Sequence, residues 1–112
     1  MATVAVMVGP DGEATVVARD LVFPNGMVIT PDRNTLIVAE TFGQRLTAFE
    51  ILPDGMLANR RVWADMKGYY PDGICLDEAG GIWVASPENH MGVLRVLEGG
   101  RVTHRVSVEF NA

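Results

Sequence analysis

Short runs of apolar residues, many of them alternating with polar positions, recur from one end of the chain to the other. Alternation with a period of two places successive side chains on opposite faces of a β-strand. The residues between the runs are mostly glycine, proline, asparagine and aspartate, which are typical of tight turns. The pattern therefore predicts an all-β chain with ten strands, at 3–8, 14–19, 26–30, 35–39, 45–51, 59–64, 73–77, 81–85, 92–97 and 101–109.

An internal repeat groups these strands. Phe23-Pro24-Asn25-Gly26 matches Tyr70-Pro71-Asp72-Gly73 at a spacing of 47 residues, and Leu36-Ile37-Val38-Ala39 then matches Ile82-Trp83-Val84-Ala85. A repeat of roughly 40 to 50 residues with four strands is typical of a β-propeller blade. We therefore predict an all-β fold, a β-propeller segment of about two and a half four-stranded antiparallel blades. The expected parts of this single propeller-type domain are half a blade at 1–22 and complete blades at 23–66 and 67–112.

The composition excludes some classes of binding partner. The 112 residues carry a net charge of −5 and their nine lysines and arginines are scattered, so no basic stripe for nucleic acid is present. No apolar run approaches the ~20 residues that span a membrane, and the first residues do not resemble a secretory signal. The single cysteine, Cys75, excludes an internal disulfide and fits a cytoplasmic location. Its apolar neighbours predict a position in the core.

The order of the strands predicts which loops share one end of the sheets. In an up-and-down meander, the connection that leads into a blade lies at the same end as the connection between the second and third strands of that blade. One end is therefore expected to carry Asn25, Asp72, Glu40-Thr41 and Glu88-Asn89-His90. The opposite end is expected to carry Asp11, Asp32, Asp54 and Asp77.

Asn25 and Asp72 occupy equivalent positions in the two repeats and are the main candidates for chemistry. An amide oxygen and a carboxylate are hard ligands that suit Ca²⁺, Mg²⁺ or Mn²⁺, with Zn²⁺ as an alternative. The other interpretation is structural, because Asn or Asp before Gly commonly takes the positive φ of a turn. Two further Pro-Asp-Gly tripeptides, at 10–12 and 53–55, are expected to be ordinary hairpin turns. Glu40 and His90 are weaker candidates for substrate contact, and Glu40 equally fits an exposed loop.

The segments 23–32, 36–41 and 70–77, with Gly80-Gly81-Ile82-Trp83-Val84-Ala85, closely resemble the gluconolactonase/regucalcin (senescence-marker-protein-like) sugar lactonase family. The resemblance covers essentially the whole chain. It implies a six-bladed propeller that hydrolyses lactones with one divalent cation in its central channel. It also implies that Asn25 and Asp72 are metal ligands, and that Asp72 is in addition a candidate catalytic base toward the attacking water.

The chain also departs from the family pattern. The third protein ligand of the family, a Glu of the first blade, has no counterpart here, so the chain is expected to be an internal or C-terminal fragment of the pattern. Three interpretations stay open: a lactonase-like segment, a catalytically inactive self-associating propeller module, and an assembly whose subunits together rebuild a closed propeller. A small-molecule lactone is the expected ligand of the first and third.

Self-association is expected on physical grounds. The half-blade presents an open edge that carries Val4, Val6 and Val8, and exposed strand edges pair readily with other strands. The last blade is expected to expose a sheet face built from Val84, Val93, Leu94 and Val96. The sequence therefore predicts a homo-oligomer, with a dimer as the first expectation.

Overall fold

The computed structural model describes residues 2–86 and 92–107. Within these ranges the chain forms strands, turns and loops and contains no helix. The strands are β1 Ala2–Val8, β2 Ala14–Val22, β3 Pro24–Ile29, β4 Thr35–Glu40, β5 Arg45–Ile51, β6 Leu57–Asp65, β7 Ile74–Leu76, β8 Ile82–Ser86, β9 Gly92–Val96 and β10 Val102–Ser107. The predicted all-β fold is therefore confirmed, and each predicted strand overlaps an observed one. The search for a bilayer-crossing helix, made over this same part of the chain, finds none.

The strands form three antiparallel sheets. The first sheet contains β1 and β2, the middle sheet has the order β3-β4-β5-β6, and the third sheet has the order β7-β8-β9-β10. Within each sheet, consecutive strands are neighbours, so each sheet is a meander joined by short turns. The Pro-Asp-Gly tripeptides at 10–12 and 53–55 form hairpin turns as predicted, since Gly12 and Gly55 have φ of +85° and +88°. The Asp54 carboxylate accepts the Met56 N–H at 3.0 Å, which closes the second of these turns.

The middle sheet is buried on both faces, which explains the unbroken apolar run in β4. Ile37 and Ala48 face the third sheet, where they pack with Ile82 and other side chains of one core cluster. Val38 and Phe49 face the first sheet and belong to a second cluster. Alternate residues of one strand therefore enter different cores, as the period of two requires. The first-sheet members of the second cluster are Ala18 and Leu21.

The third sheet corrects a prediction about its exposed face. Val84, Val93, Leu94 and Val96 were expected to be uncovered together. Val84, Leu94 and Val96 are instead buried, at 0%, 5% and 0% exposure, and pack against the middle sheet, whereas Val93 is half-buried. Because successive side chains of a strand point to opposite faces, Val93 and Leu94 cannot share a face, so the predicted set mixed the two faces of the sheet. The outward face instead contains the half-buried Trp83 and its cross-strand partner Cys75. The core position predicted for Cys75 is therefore wrong, because this thiol is exposed.

An ion pair closes part of this outward face. The Asp77 carboxylate accepts hydrogen bonds from Arg95 Nε at 2.6 Å and from Trp83 Nε1 at 3.0 Å. Hydrogen bonds from the Arg95 guanidinium and from the backbone N–H groups of Gly81 and Ala79 hold the pKa of Asp77 well below its usual range. Burial has the opposite effect on this pKa but is outweighed. The network joins the β7–β8 turn to β9, so it stabilises the sheet from the side opposite the core.

Candidate functional site

The two segments that lead into the four-stranded sheets meet at one point. We call residues 23–26 and 70–73 the lead-in segments. The Gly26 N–H donates to the Asp72 carbonyl oxygen at 3.1 Å. A Cβ at position 26 would lie 2.7 Å from that oxygen and 2.8 Å from the Ile74 nitrogen, so only glycine allows this approach. The structure therefore brings the two repeat motifs together across the boundary between the middle and third sheets.

Asn25 lies within a strand, where the sequence had placed it in a loop before the strand. β3 begins at Pro24, which pairs with Glu40, and the pairing with β4 is irregular between Pro24 and Met27. The left-handed backbone belongs to the preceding residue, Phe23, with φ of +56°. Such an irregularity turns a side chain away from the regular ladder. The Asn25 side chain is exposed at this position.

The structural interpretation of the two motifs is wrong as far as their backbone is concerned. Neither Asn25 nor Asp72 has a positive φ, and neither do Gly26 and Gly73. This distinguishes the lead-in segments from the hairpin turns, in which glycine takes that conformation. Turn geometry therefore does not explain why an amide and a carboxylate occupy these positions. Their assignment as metal ligands, and that of Asp72 as a base, stay predictions.

Asp72 is held through its backbone. Its N–H donates to the Ala85 oxygen at 2.9 Å, and the Ala85 N–H donates to the Gly73 oxygen at 2.9 Å. The buried Ser86 hydroxyl accepts the Tyr70 N–H at 3.1 Å. Among the residues that the structure describes, none donates a hydrogen bond to the half-buried Asp72 carboxylate. The segment is therefore fixed by β8 through backbone hydrogen bonds, and none of the described residues engages the carboxylate.

Thr41 touches both lead-in segments. Its hydroxyl donates to the Pro71 carbonyl oxygen at 2.7 Å, and Asn25 Nδ2 donates to the same hydroxyl oxygen over 3.5 Å. Its backbone N–H donates to the Phe23 oxygen at 3.0 Å. Thr41 follows β4, so the end of this strand connects the motif of the middle sheet with the motif of the third sheet.

Glu40 is fully buried, and the exposed-loop interpretation is wrong. One carboxylate oxygen accepts the Val22 N–H at 2.7 Å, and Arg45 forms two hydrogen bonds to the group at 2.8 and 2.9 Å. The Thr47 hydroxyl also donates to it, and Arg60 lies 3.6 Å away. Burial alone would raise the pKa of Glu40, but the hydrogen bonds from Arg45 and Thr47 outweigh it and keep the pKa below its usual value.

This environment gives Glu40 a structural role, because its oxygens are occupied by protein groups that join β2, β4 and β5. A contact between Glu40 and a substrate stays a prediction, and the burial of this side chain does not favour it. The other weak candidate, His90, lies outside the described residues, as do Glu88 and Asn89.

Three aromatic rings form a cluster at the lead-in segments and were not singled out from the sequence: Phe23 and Tyr70, which begin the two segments, and Phe42. The rings of Phe23 and Phe42 meet edge to face with centroids 4.9 Å apart, and those of Phe42 and Tyr70 do so at 6.0 Å. Phe23 and Phe42 are 47% and 55% exposed, so the cluster forms an apolar surface beside Asn25. The signal was present in the repeat, because an aromatic residue precedes each Pro-(Asn/Asp)-Gly motif.

The donor set partly fits a hard divalent cation. The amide oxygen of Asn25 and the carboxylate of Asp72 have the right chemistry for such an ion. No group of three or more His, Cys, Asp and Glu side chains suited to a metal occurs in residues 2–86 and 92–107. Two oxygen donors are fewer than the six to eight of a typical Ca²⁺ site, so water or further groups would have to complete the coordination.

Comparisons with known proteins agree with the fold. The chain matches the family described as SMP-30/Gluconolactonase/LRE-like region over residues 3–112. A gluconolactonase from Xanthomonas campestris, XC5397, is 33% identical with a TM-score of 0.76 over 93% of this chain and 34% of that one. The calcium-binding protein regucalcin from Agrobacterium tumefaciens is 27% identical with a TM-score of 0.75, over 87% and 34%.

A luciferin-regenerating enzyme, 17% identical, superimposes with a TM-score of 0.84 over 92% of this chain and 36% of its own. The likeness confirms the predicted β-propeller segment. The chain spans about a third of the length of these three structures and 18% of the curated relatives that it matches.

Proposed function

Because the chain belongs to the SMP-30/gluconolactonase/LRE-like family, we propose that the site at Asn25 and Asp72 serves divalent-cation-dependent hydrolysis of sugar or related lactones. The observation that carries the proposal is the meeting of the two lead-in segments, where the Gly26 N–H reaches the Asp72 carbonyl at 3.1 Å. This contact brings the segment that carries the Asn25 amide against the segment that carries the Asp72 carboxylate, which accepts no hydrogen bond from the described residues. The similarity to a gluconolactonase and to a calcium-binding regucalcin supports the same chemistry.

Each residue has a definite part in this chemistry. Asn25 Oδ1 and the Asp72 carboxylate would hold the cation, which when bound would polarise the lactone carbonyl. The Asp72 carboxylate would accept a proton from the attacking water. The water oxygen bonds to the carbonyl carbon, the ring C–O bond breaks, and the ring oxygen takes up a proton to give the open hydroxy acid. Ca²⁺ is the first cation to test, with Zn²⁺, Mg²⁺ and Mn²⁺ as alternatives.

The 112-residue chain by itself is expected to be a poor catalyst. It spans about a third of the matched structures, and its described part offers two cation donors of the predicted kind. Few charged ligands make a site weak. Activity of the whole propeller and weak activity of this segment are therefore compatible parts of one proposal.

Replacing Asp72 with asparagine tests the site directly. Asp72→Asn keeps the shape of the side chain but removes the negative charge and the base, so we expect at least about a tenfold loss of Ca²⁺ affinity, since charge count sets the affinity of such sites. Lactone hydrolysis, where present, is expected to fall further. Isothermal calorimetry and a pH-stat assay measure the two effects.

Asp54→Asn is the matched control for this substitution. Asp54 is also the central residue of a Pro-Asp-Gly tripeptide, but this one forms a hairpin turn in which the carboxylate accepts the Met56 N–H. The Asp54→Asn substitution is expected to leave cation binding unchanged. Equal affinities in Asp72→Asn and the unmodified protein would contradict the proposal.

We also propose that two copies of the chain associate through β1. Val4, Val6 and Val8 are 41%, 50% and 67% exposed, and β1 pairs with β2 alone in the described structure. Beside this edge is a cavity of about 520 Å³ with an almost wholly apolar lining, which includes Val17, Met27, Ile29, Ile51 and Leu57. Antiparallel pairing of β1 with its copy would create a four-stranded sheet, the number found in the other two sheets, and would cover this lining.

Replacing Val6 with lysine is expected to convert the dimer to a monomer, because a charge in the apolar cavity opposes burial. Light scattering coupled to gel filtration at about 10 μM, above a typical micromolar Kd, measures the mass. Val106→Lys is the matched control, since Val106 is also 50% exposed but lies on β10. A monomeric unmodified protein, or equal effects of both substitutions, would overturn the proposed interface.

A further inference from the structure

In the described part of the chain, the Thr41 hydroxyl has two hydrogen-bonding neighbours and one hydrogen of its own. It lies 2.7 Å from the Pro71 carbonyl oxygen and 3.5 Å from Asn25 Nδ2. The backbone around it is fixed, because the Thr41 N–H donates to the Phe23 oxygen and the Thr41 oxygen accepts the Gln44 N–H at 3.3 Å. The hydroxyl therefore has a defined place between the two lead-in segments.

The donor and acceptor capacities of the groups determine the direction of each hydrogen bond at the Thr41 hydroxyl. A carbonyl oxygen can only accept, so the single hydroxyl hydrogen of Thr41 points to Pro71. The hydroxyl oxygen then has only acceptor capacity left for Asn25. The amide must turn its Nδ2 donor toward Thr41, which leaves Oδ1 on the other side. The two ends of an asparagine amide are nearly the same in shape, so a polar neighbour of this kind decides between them.

We propose that Thr41 is a positioning residue that sets the orientation of the Asn25 amide, so that Oδ1 is presented to a cation. The inference rests on the proposed function of the site. Thr41 acts through Asn25 and does not touch the reacting atoms. Groups behind a metal ligand commonly orient it in this way, and their loss weakens the site although the ligands remain.

Thr41 also couples the two ligand positions. The same hydroxyl that orients Asn25 is bonded to Pro71, the residue before Asp72. This side chain therefore links the two lead-in segments in addition to the direct backbone bond between Gly26 and Asp72. The repeat aligns Thr41 with Pro87, which carries no hydroxyl, so this device belongs to the boundary between the two motifs.

The test replaces Thr41 with valine, which has the same shape without the hydroxyl, and with serine, which retains it. In the metal-free protein, NMR detects the Asn25 side-chain amide protons and their contact with residue 41. We expect this contact to disappear in Thr41→Val and to persist in Thr41→Ser. Calorimetry is expected to show about a tenfold weaker affinity for Ca²⁺ in Thr41→Val and an affinity within about twofold of the unmodified protein in Thr41→Ser.

Thr30→Val is the matched control, because Thr30 also donates its hydroxyl to a neighbouring side chain, Asp32 at 2.6 Å. It is expected to leave the affinity for Ca²⁺ unchanged. An unaltered Asn25 amide signal in Thr41→Val overturns the inference, as does equal loss of affinity in the valine and serine variants. If the unmodified protein binds no divalent cation, the proposed function fails, whereas the amide signals still decide the role of Thr41.

Discussion

Replacing Glu40 with alanine is expected to lower the free energy of unfolding by about 3–5 kcal/mol, the cost of removing one partner from a buried ion pair. The loss leaves the Val22 N–H and the Thr47 hydroxyl without their acceptor. It also leaves the Arg45 guanidinium without its carboxylate, although this side chain is 32% exposed and retains some solvent. Urea unfolding followed by circular dichroism gives the difference.

Glu98→Ala is the matched control for the Glu40 substitution. Glu98 also pairs with an arginine, Arg61 at 3.1 Å, but both side chains are about half exposed, at 59% and 48%. Exposed pairs of this kind contribute about 1 kcal/mol or less. Similar losses in the two variants would show that the buried position of Glu40 has no special energetic weight.

The same residue predicts a pH dependence. The pKa of Glu40 is lower in the folded protein than its ordinary value of 4.5, because its hydrogen bonds outweigh burial. A depressed pKa contributes stability that is fully present above the unfolded value and is lost as the pH falls through the folded value. Glu40→Gln is therefore expected to lose less stability between about pH 5 and pH 2 than the unmodified protein, and chemical unfolding across that range measures the difference.

Replacing Gly26 with alanine is expected to destabilise the protein by about 3 kcal/mol, at the upper end of the usual cost of overpacking. The new Cβ would lie within 3.0 Å of three backbone atoms of residues 72–74, which lead into the third sheet and cannot move aside as a side chain can. The clash separates β3 from β7, so Ca²⁺ affinity is expected to fall with stability. Thermal unfolding and calorimetry measure the two losses.

Gly73→Ala is the control for this substitution, because Gly73 occupies the equivalent position in the next repeat. A Cβ there meets no atom within 4 Å, and the backbone does not have a positive φ. Such a change is expected to be neutral or stabilising by about 0.5 kcal/mol, through the lower entropy of the unfolded chain. A large loss in Gly73→Ala would mean that another copy or segment packs on the third sheet.

The fold was accessible from the sequence because its signals are local. Alternation of apolar and polar residues indicates a strand within five or six residues, and Asp54-Gly55 indicates a hairpin within two. The repeat of Pro-Asn-Gly and Pro-Asp-Gly added the grouping of strands into sheets. The same repeat placed Asn25 and Asp72 at equivalent positions in successive sheets.

Only part of the candidate site could be predicted from the sequence. Glu40 and Thr41 were identified as neighbours in one loop, but the sequence did not separate the buried carboxylate from the hydroxyl that bridges the two motifs. Their roles depend on partners such as Val22 and Pro71, which are distant along the chain. No local pattern specifies such partners.

By itself, the sequence determined the strands and the turns, because each depends on residues within one hairpin or one strand. It also determined the internal repeat, which is visible in the order of the residues alone. The tertiary structure alone decided which face of the third sheet is covered. It placed Val84 and Leu94 in the core and left Cys75 outside. It also decided that Gly26 lies against the backbone of Asp72. The physical reason is that these outcomes depend on how one sheet packs on the next, which involves side chains from separate repeats. A shift of one residue along a strand also exchanges its buried and exposed faces.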